Sequence, residues 1–160
     1  MKKWISGLAV CLILATQSGC LQKTIALEDD HAEKAAAYAV AKSFIQEFSQ
    51  LHLKEALAYA TVPFTAEGEV YKTQEALESE FQDEFENEKP LEIKILAMRF
   101  YTLEDLRLFK TQAYQRLVKN GFDSHYIVLA ELEIEGDADV GFLILKRMEN
   151  GVWKIAGVDH

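Results

Sequence analysis

Cysteine is nearly absent: two occur in 160 residues, Cys11 and Cys20, both within the first twenty. The 140 residues from Leu21 onward hold none. Within them there is no disulfide, no thiol nucleophile and no cysteine-based zinc site. Their fold must be held by its core alone, and this length suits one domain with one core. Proline is equally scarce, and both copies, Pro63 and Pro90, are expected to end regular structure. Basic residues number 17 against 26 acidic ones, for a net charge of −9. No basic stripe interleaved with aromatics occurs, and the negative excess repels phosphate backbones, so nucleic acid is not an expected partner. G-x-S-x-G, H-E-x-x-H, a glycine-rich phosphate loop and the dinucleotide fingerprint are all missing. His31, His52, His125 and His160 have no metal-ligand spacing. Neither a metal nor a cofactor is expected.

Long apolar runs are missing too. The uncharged run from Trp4 to Ala15 is too short to cross about 30 Å of hydrocarbon, which takes about 20 residues. Preceded by Lys2 and Lys3 and followed by small residues, it has the layout of a secretory signal peptide. Ser18 and Gly19 before Cys20 resemble the lipobox of bacterial lipoproteins, in which the thiol is acylated and the chain is cut just before it. Gln17 stands where that motif usually carries Leu or another aliphatic. The resemblance implies a signal peptide over 1–19, lipid attachment at Cys20, a tether over 20–30 and one domain over 31–160. The alternative is an ordinary secretory signal with an unmodified cysteine. Loss of Lys2 and Lys3 takes the net charge from −9 to −11, so membrane contact would rest on the acyl chains, two or more of which hold firmly. The expected location is the bacterial cell envelope, outside the cytoplasm. Leu21 is not the acidic residue that retains lipoproteins at an inner membrane, which favours the periplasmic side of the outer membrane where there are two.

After the tether the pattern turns helical, with Asp29 or Asp30 as the expected cap. Ala37, Val40, Ala41, Phe44, Ile45, Phe48 and Leu51 recur on one face of a 3.6-residue period. A short second helix carries Leu53, Ala56, Leu57 and Ala60. A turn follows at Gly68. Thr73 then caps an acidic third helix with Leu77, Phe81 and Phe85 inward; its many carboxylates are spread round the wheel and read as a solvated face rather than a cation site. From Leu91 the period becomes two, giving a strand to about Tyr101 with an irregularity near Leu96. Thr102 caps a helix over about 103–119. Strands over 125–135 and 140–148 follow, and Asn150-Gly151 marks a hairpin into a last strand from Val152.

Helices first, then hairpin-linked strands, give an α+β domain: N-terminal helices on a curved four-stranded antiparallel sheet, with an extra helix between the first two long strands. The order of elements, the helix pattern around Phe44 and Phe48, and the ending Trp153-Lys154-Ile155 after Asn150-Gly151 resemble the nuclear-transport-factor-two-like (cystatin-like, SnoaL-like) superfamily. The resemblance implies a cone with an apolar pocket. It leaves function open, because that superfamily holds isomerases, dehydratases and hydrolases beside non-enzymatic binding and dimerising modules. Phe44, Phe48, Leu57, Phe81 and Trp153 are expected to share the core.

Catalysis in such a cone would need an inward acid–base set. His125 points opposite to Tyr126 and Val128; His52 lies between two helices and His31 near the tether, and a surface or capping role is expected for each. Asp159 shares parity with Trp153 and Ile155 and could reach the pocket mouth, although a frayed, solvated end is the plainer expectation. Glu131 and Glu133 lie outward or under the extra helix. Tyr38, Tyr59, Tyr71 and Tyr126 could line a pocket or pack with a wet tip. No catalytic set is therefore assigned, and the function expected is a non-catalytic small-molecule-binding or protein-interaction module on a membrane anchor. The alternative is a small isomerase, dehydratase or hydrolase using Asp159 or His125. Expected partners are the membrane through the lipid, an apolar small molecule or a protein, and a second copy of the chain. If Cys20 is the anchor, metabolic labelling with a fatty-acid analogue marks the wild type and not Cys20→Ser; equal labelling of both would overturn it.

Overall fold

The computed structural model describes residues 27–159 apart from Asn87, without the side chains of 27–30 and Phe109. Cys20, the expected signal peptide and most of the tether lie outside the described residues. The elements are α1 (Leu27–Ser49), α2 (Leu53–Tyr59), β1 (Ala60–Ala66), β2 (Glu69–Tyr71), α3 (Gln74–Phe85), β3 (Ile93–Thr102), α4 (Leu103–Phe109), α5 (Thr111–Lys119), β4 (Tyr126–Ile134), β5 (Asp137–Arg147) and β6 (Trp153–Asp159). The α+β class, the N-terminal helices on one sheet face and the helical insertion between β3 and β4 are as expected. The helix α1 already includes Leu27, ahead of the expected cap at Asp29 or Asp30.

The strand count is six rather than four. The order is β2-β1-β6-β5-β4-β3, and β1 runs parallel to β6 while every other pair is antiparallel. The two additional strands come from "ATVPFTA" and "EVY", joined at Glu67 and Gly68, both at positive φ as a tight hairpin turn requires. Pro63 does not end this strand. The ladder from β1 to β6 is irregular between Ala60 and Thr65, and pairing with β2 starts only at Phe64. Pro63 thus sits where its missing N–H breaks no regular bond. Further along, β1 and β6 come close at Gly157. A Cβ there would stand 2.5 Å from both the carbonyl oxygen and Cγ2 of Thr65, so only glycine permits that approach.

Local signals elsewhere act as their chemistry suggests. Thr73 Oγ1 accepts from the Ala76 N–H at 3.2 Å to open α3. Thr102 and Asp105 form a reciprocal capping box for α4. The expected irregularity in β3 is a register shift between Ile95 and Ala97. The single helix expected over 103–119 is two helices, broken at Lys110, whose backbone leaves the helical region.

The sheet is covered on both faces. Its inner face meets α1, α2 and α3 in a core that includes Phe44, Phe48, Phe64, Phe81, Leu145 and Trp153, with Leu57 partly buried against it. The outer face carries a second core, in which Leu103, Leu106 and Leu117 of α4 and α5, with Phe122, pack on Ile127, Ile144 and Ala156. The insertion therefore lies across the outer face.

Candidate functional site

The inner face is the place where a cone-type pocket would open, and aromatic rings occupy much of it. Phe81 lies 5.1 Å from Phe48, 5.5 Å from Phe64, 6.2 Å from Phe85 and 6.4 Å from Phe44, centroid to centroid. Beside them Phe100, Tyr126 and Trp153 form a triangle of rings 5.2–6.0 Å apart, and Tyr38 meets Phe100 edge-on at 6.5 Å. Most of these contacts are edge-on or tilted, the arrangements that ring quadrupoles favour. Tyr38, Tyr59, Tyr71 and Tyr126 all pack as partly buried members of this core. The only buried polar side chains among the described residues are Ser49, Thr65 and His125. Ser49 and Thr65 donate to backbone carbonyls, of Gln46 and Glu69, and His125 lies on the other side of the sheet.

One cleft opens beside these rings on the inner face, and another lies on the outer face. The first, of about 460 Å³, runs between α1 and the edge strand β3; its wall is mostly apolar, with Tyr38, Lys42 and Gln46 among its lining residues. The other, of about 440 Å³, lies between α4–α5 and the outer face. Ile127, Phe142 and Ile144 of the sheet and Leu106 and Leu117 of the helices supply its apolar part. Lys110, Thr111, Gln112, Arg116 and Asp159 add polar groups. Both volumes fall within the usual range for ligand sites, about 300–1,000 Å³.

Asp159 belongs to the second cleft for a traceable reason. Ile144 pairs with Gly157 and Leu145 with Ile155, so Ala156 is an extra residue in β6. A bulge of one residue reverses the facing of all that follows. Trp153 and Ile155 face inward, whereas Asp159 is turned to the outer face. It is not a frayed end: it pairs with Phe142, and its Oδ2 accepts from Arg116 Nη2 at 2.9 Å. Parity alone places it toward the inner pocket. The bulge overturns that.

The other candidates are scattered. His31 is exposed. His52, also exposed, stands with Nδ1 2.7 Å from Glu47 Oε2. Glu131 and Glu133 point outward and pair across the ladder with Arg99 at 2.7 Å and Lys94 at 2.5 Å. On the acidic α3, Glu84 is pushed upward in pKa by partial burial and then by Glu80, Glu67 and Glu88. Nearby, burial, Glu80 and Glu69 raise the Tyr71 hydroxyl above its ordinary range. Among the described residues no group of three or more His, Cys, Asp or Glu is placed to hold a metal ion.

His125 departs from its expected surface role. It is 5 % exposed, neither ring nitrogen has a hydrogen-bond partner, and its ring meets Phe122 at 4.9 Å. The parity argument had put it on the outer face correctly, but Phe122 and the helices turn that face into a core. Burial, and then the Lys146 ammonium, lower its pKa; the Phe122 backbone and Asp123 act in the opposite sense with less effect. Burial thus favours the neutral ring in the folded state. A depressed histidine pKa makes the unfolded chain the better proton acceptor, so its contribution is intact above the unfolded value near 6.5 and is lost as pH falls toward the folded value. The loss has a ceiling of about 1.4 kcal/mol per pH unit for one proton. Urea unfolding at pH 7.5 and 5.5 should show a larger acid loss for wild type than for His125→Leu. Equal losses would contradict the buried neutral histidine.

No protein-family model matches the chain, and no curated protein matches it. Its backbone does match solved structures. A ketosteroid isomerase-like protein from Shewanella frigidimarina NCIMB 400 superposes with a TM-score of 0.52 at 15% identity, over 79% of this chain and 94% of that one. A second, from Erwinia carotovora atroseptica SCRI1043, gives 0.51 at 15% identity over 79% and 92%. A structure from Catenulispora acidiphila gives 0.50 at 13% identity over 82% and 94%. Such identities speak for the fold alone. The element order, the sheet and these superpositions agree: the chain has the nuclear-transport-factor-two-like fold.

Proposed function

We propose that the protein is a membrane-anchored envelope lipoprotein whose folded domain is a non-catalytic binding or interaction module. The observation that carries this reading is the ring packing of the inner face. A cone-type enzyme needs an acid and a base directed at a substrate inside the cone; here, among the described residues, that face buries no carboxylate and no histidine beside its phenylalanines, tryptophan and tyrosines. The two groups that sequence offered for catalysis lie elsewhere. Asp159 is tied to Arg116 on the outer face, and His125 is enclosed beside Phe122. The cleft under α4–α5 lies across the sheet from the rings, where a ligand or partner can reach it without opening the inner core.

The anchor belongs to the same reading. Among the described residues no helix is long and apolar enough to cross a membrane. Acylation of Cys20 would supply attachment and hold the domain at high local concentration near its partners. A module of this kind has no turnover. Incubation with an unsaturated ketosteroid, followed by absorbance as its double bond shifts, should give no rate above buffer. A saturable rate abolished by Asp159→Asn or His125→Gln would replace the module with an enzyme.

A further inference from the structure

The cleft between α4–α5 and the outer sheet face differs from the α1–β3 cleft in its charged groups, with two cations and a carboxylate where the other has Lys42. Its floor is fully apolar, with Ile127, Phe142 and Ile144 side by side. At its polar side stand two cations, Lys110 and Arg116, and one anion, Asp159. That is a local charge of +1 in a chain of net charge −9. Lys110 sits with Nζ 5.4 Å from the centre of the Phe142 ring, and among the described residues it has no carboxylate partner. A ring face is a weak substitute for an anion, worth about 0.5–1 kcal/mol where exposed, so the ammonium is ready to exchange it. Arg116 is differently placed. Asp159 holds one Nη2 donor at 2.9 Å, and a guanidinium offers five N–H donors in a planar fork. The carboxylate fixes the head while the remaining donors stay available in geometry.

We infer that this cleft binds an amphipathic monocarboxylate, its apolar chain lying on Ile127, Phe142 and Ile144 and its carboxylate taken between Lys110 and Arg116. Charge decides the class. One negative charge neutralises the mouth, an ammonium would meet two like charges, and an uncharged chain would leave Lys110 where it rests. Asp159 is a positioning residue that orients Arg116. The break between α4 and α5 has a role here, because the non-helical backbone at Lys110 brings that residue over Phe142. The inference rests on the module reading and names its ligand.

The test is calorimetric titration of the folded domain with decanoate, decylammonium and decanol below their micelle thresholds, with amide shifts recorded by NMR. Decanoate should bind, with shifts along α5, β5 and the end of β6, and at least about tenfold more tightly than decylammonium or decanol. Lys110→Ala and Arg116→Ala should each weaken decanoate by about tenfold or more. Lys42→Ala, in the other cleft, should leave it unchanged. Arg116→Lys, which keeps the charge and loses the fork, should recover only part of the affinity. Equal affinity for decylammonium, indifference to both cation variants, or shifts confined to α1 and β3 would each overturn the site; the last would still leave a binding module. Failure of decanoate to bind also overturns the inference but leaves the module reading, which ketosteroid turnover would overturn.

Discussion

Phe81 stands where four other phenylalanine rings meet, from α1, β1 and the next turn of α3, and the inner half of the molecule is built around that contact. Each of those elements is anchored there by a ring: α1 by Phe44 and Phe48, β1 by Phe64, α3 by Phe81 and Phe85. A domain without a disulfide must take its stability from such burial, and a large aromatic side chain contributes more of it than an aliphatic one. The same packing limits function. Rings packed this closely leave little room for a ligand around Phe81, and a phenylalanine ring offers no proton to transfer.

The outer face shows the complementary arrangement. β4 and β5 carry apolar residues on both sides, Val128 and Leu145 inward, Ile127, Phe142 and Ile144 outward. A strand apolar on both faces must be covered on both, and α4 and α5 supply the second cover. They do so incompletely. Leu103, Leu106 and Leu117 seal one part with Phe122, while the remainder is the charged-rimmed cleft. The extra residue at Ala156 brings Asp159 to that rim, and Gly157 beside it allows β1 to close against β6. A single turn of β6 geometry therefore links the integrity of the sheet to the placement of Arg116.

Much of this could be read from sequence, and the failures have particular causes. Helical periodicity found the inner stripe of α1, and the spacing of Leu77, Phe81 and Phe85 found that of α3, because both run for several turns. The alternation of Tyr126, Val128, Ala130 and Leu132 found β4. The strands β1 and β2 were missed, since seven residues containing Pro63 and three residues of "EVY" are too short to carry a period. Asp159 and His125 were assigned by parity. Parity fails across a bulge, and it says nothing of whether an outward face is covered. A signal for the cover was available: Phe142 and Ile144 on one face and Leu143 and Leu145 on the other require two partners, and the amphipathic run over 103–119 was the unassigned one.

The central claim is that the phenylalanine rings around Phe81 fill their part of the inner face, with the α1–β3 cleft at its edge. Chemical denaturation of Phe81→Ala tests it most directly, with Trp153→Ala as a second position on the same face. A ring locked among four others should cost about 3–5 kcal/mol when truncated, with the slope against denaturant unchanged. A loss below about 1 kcal/mol would mean that Phe81 lines open space, and the binding site would then have to be sought inside the cone.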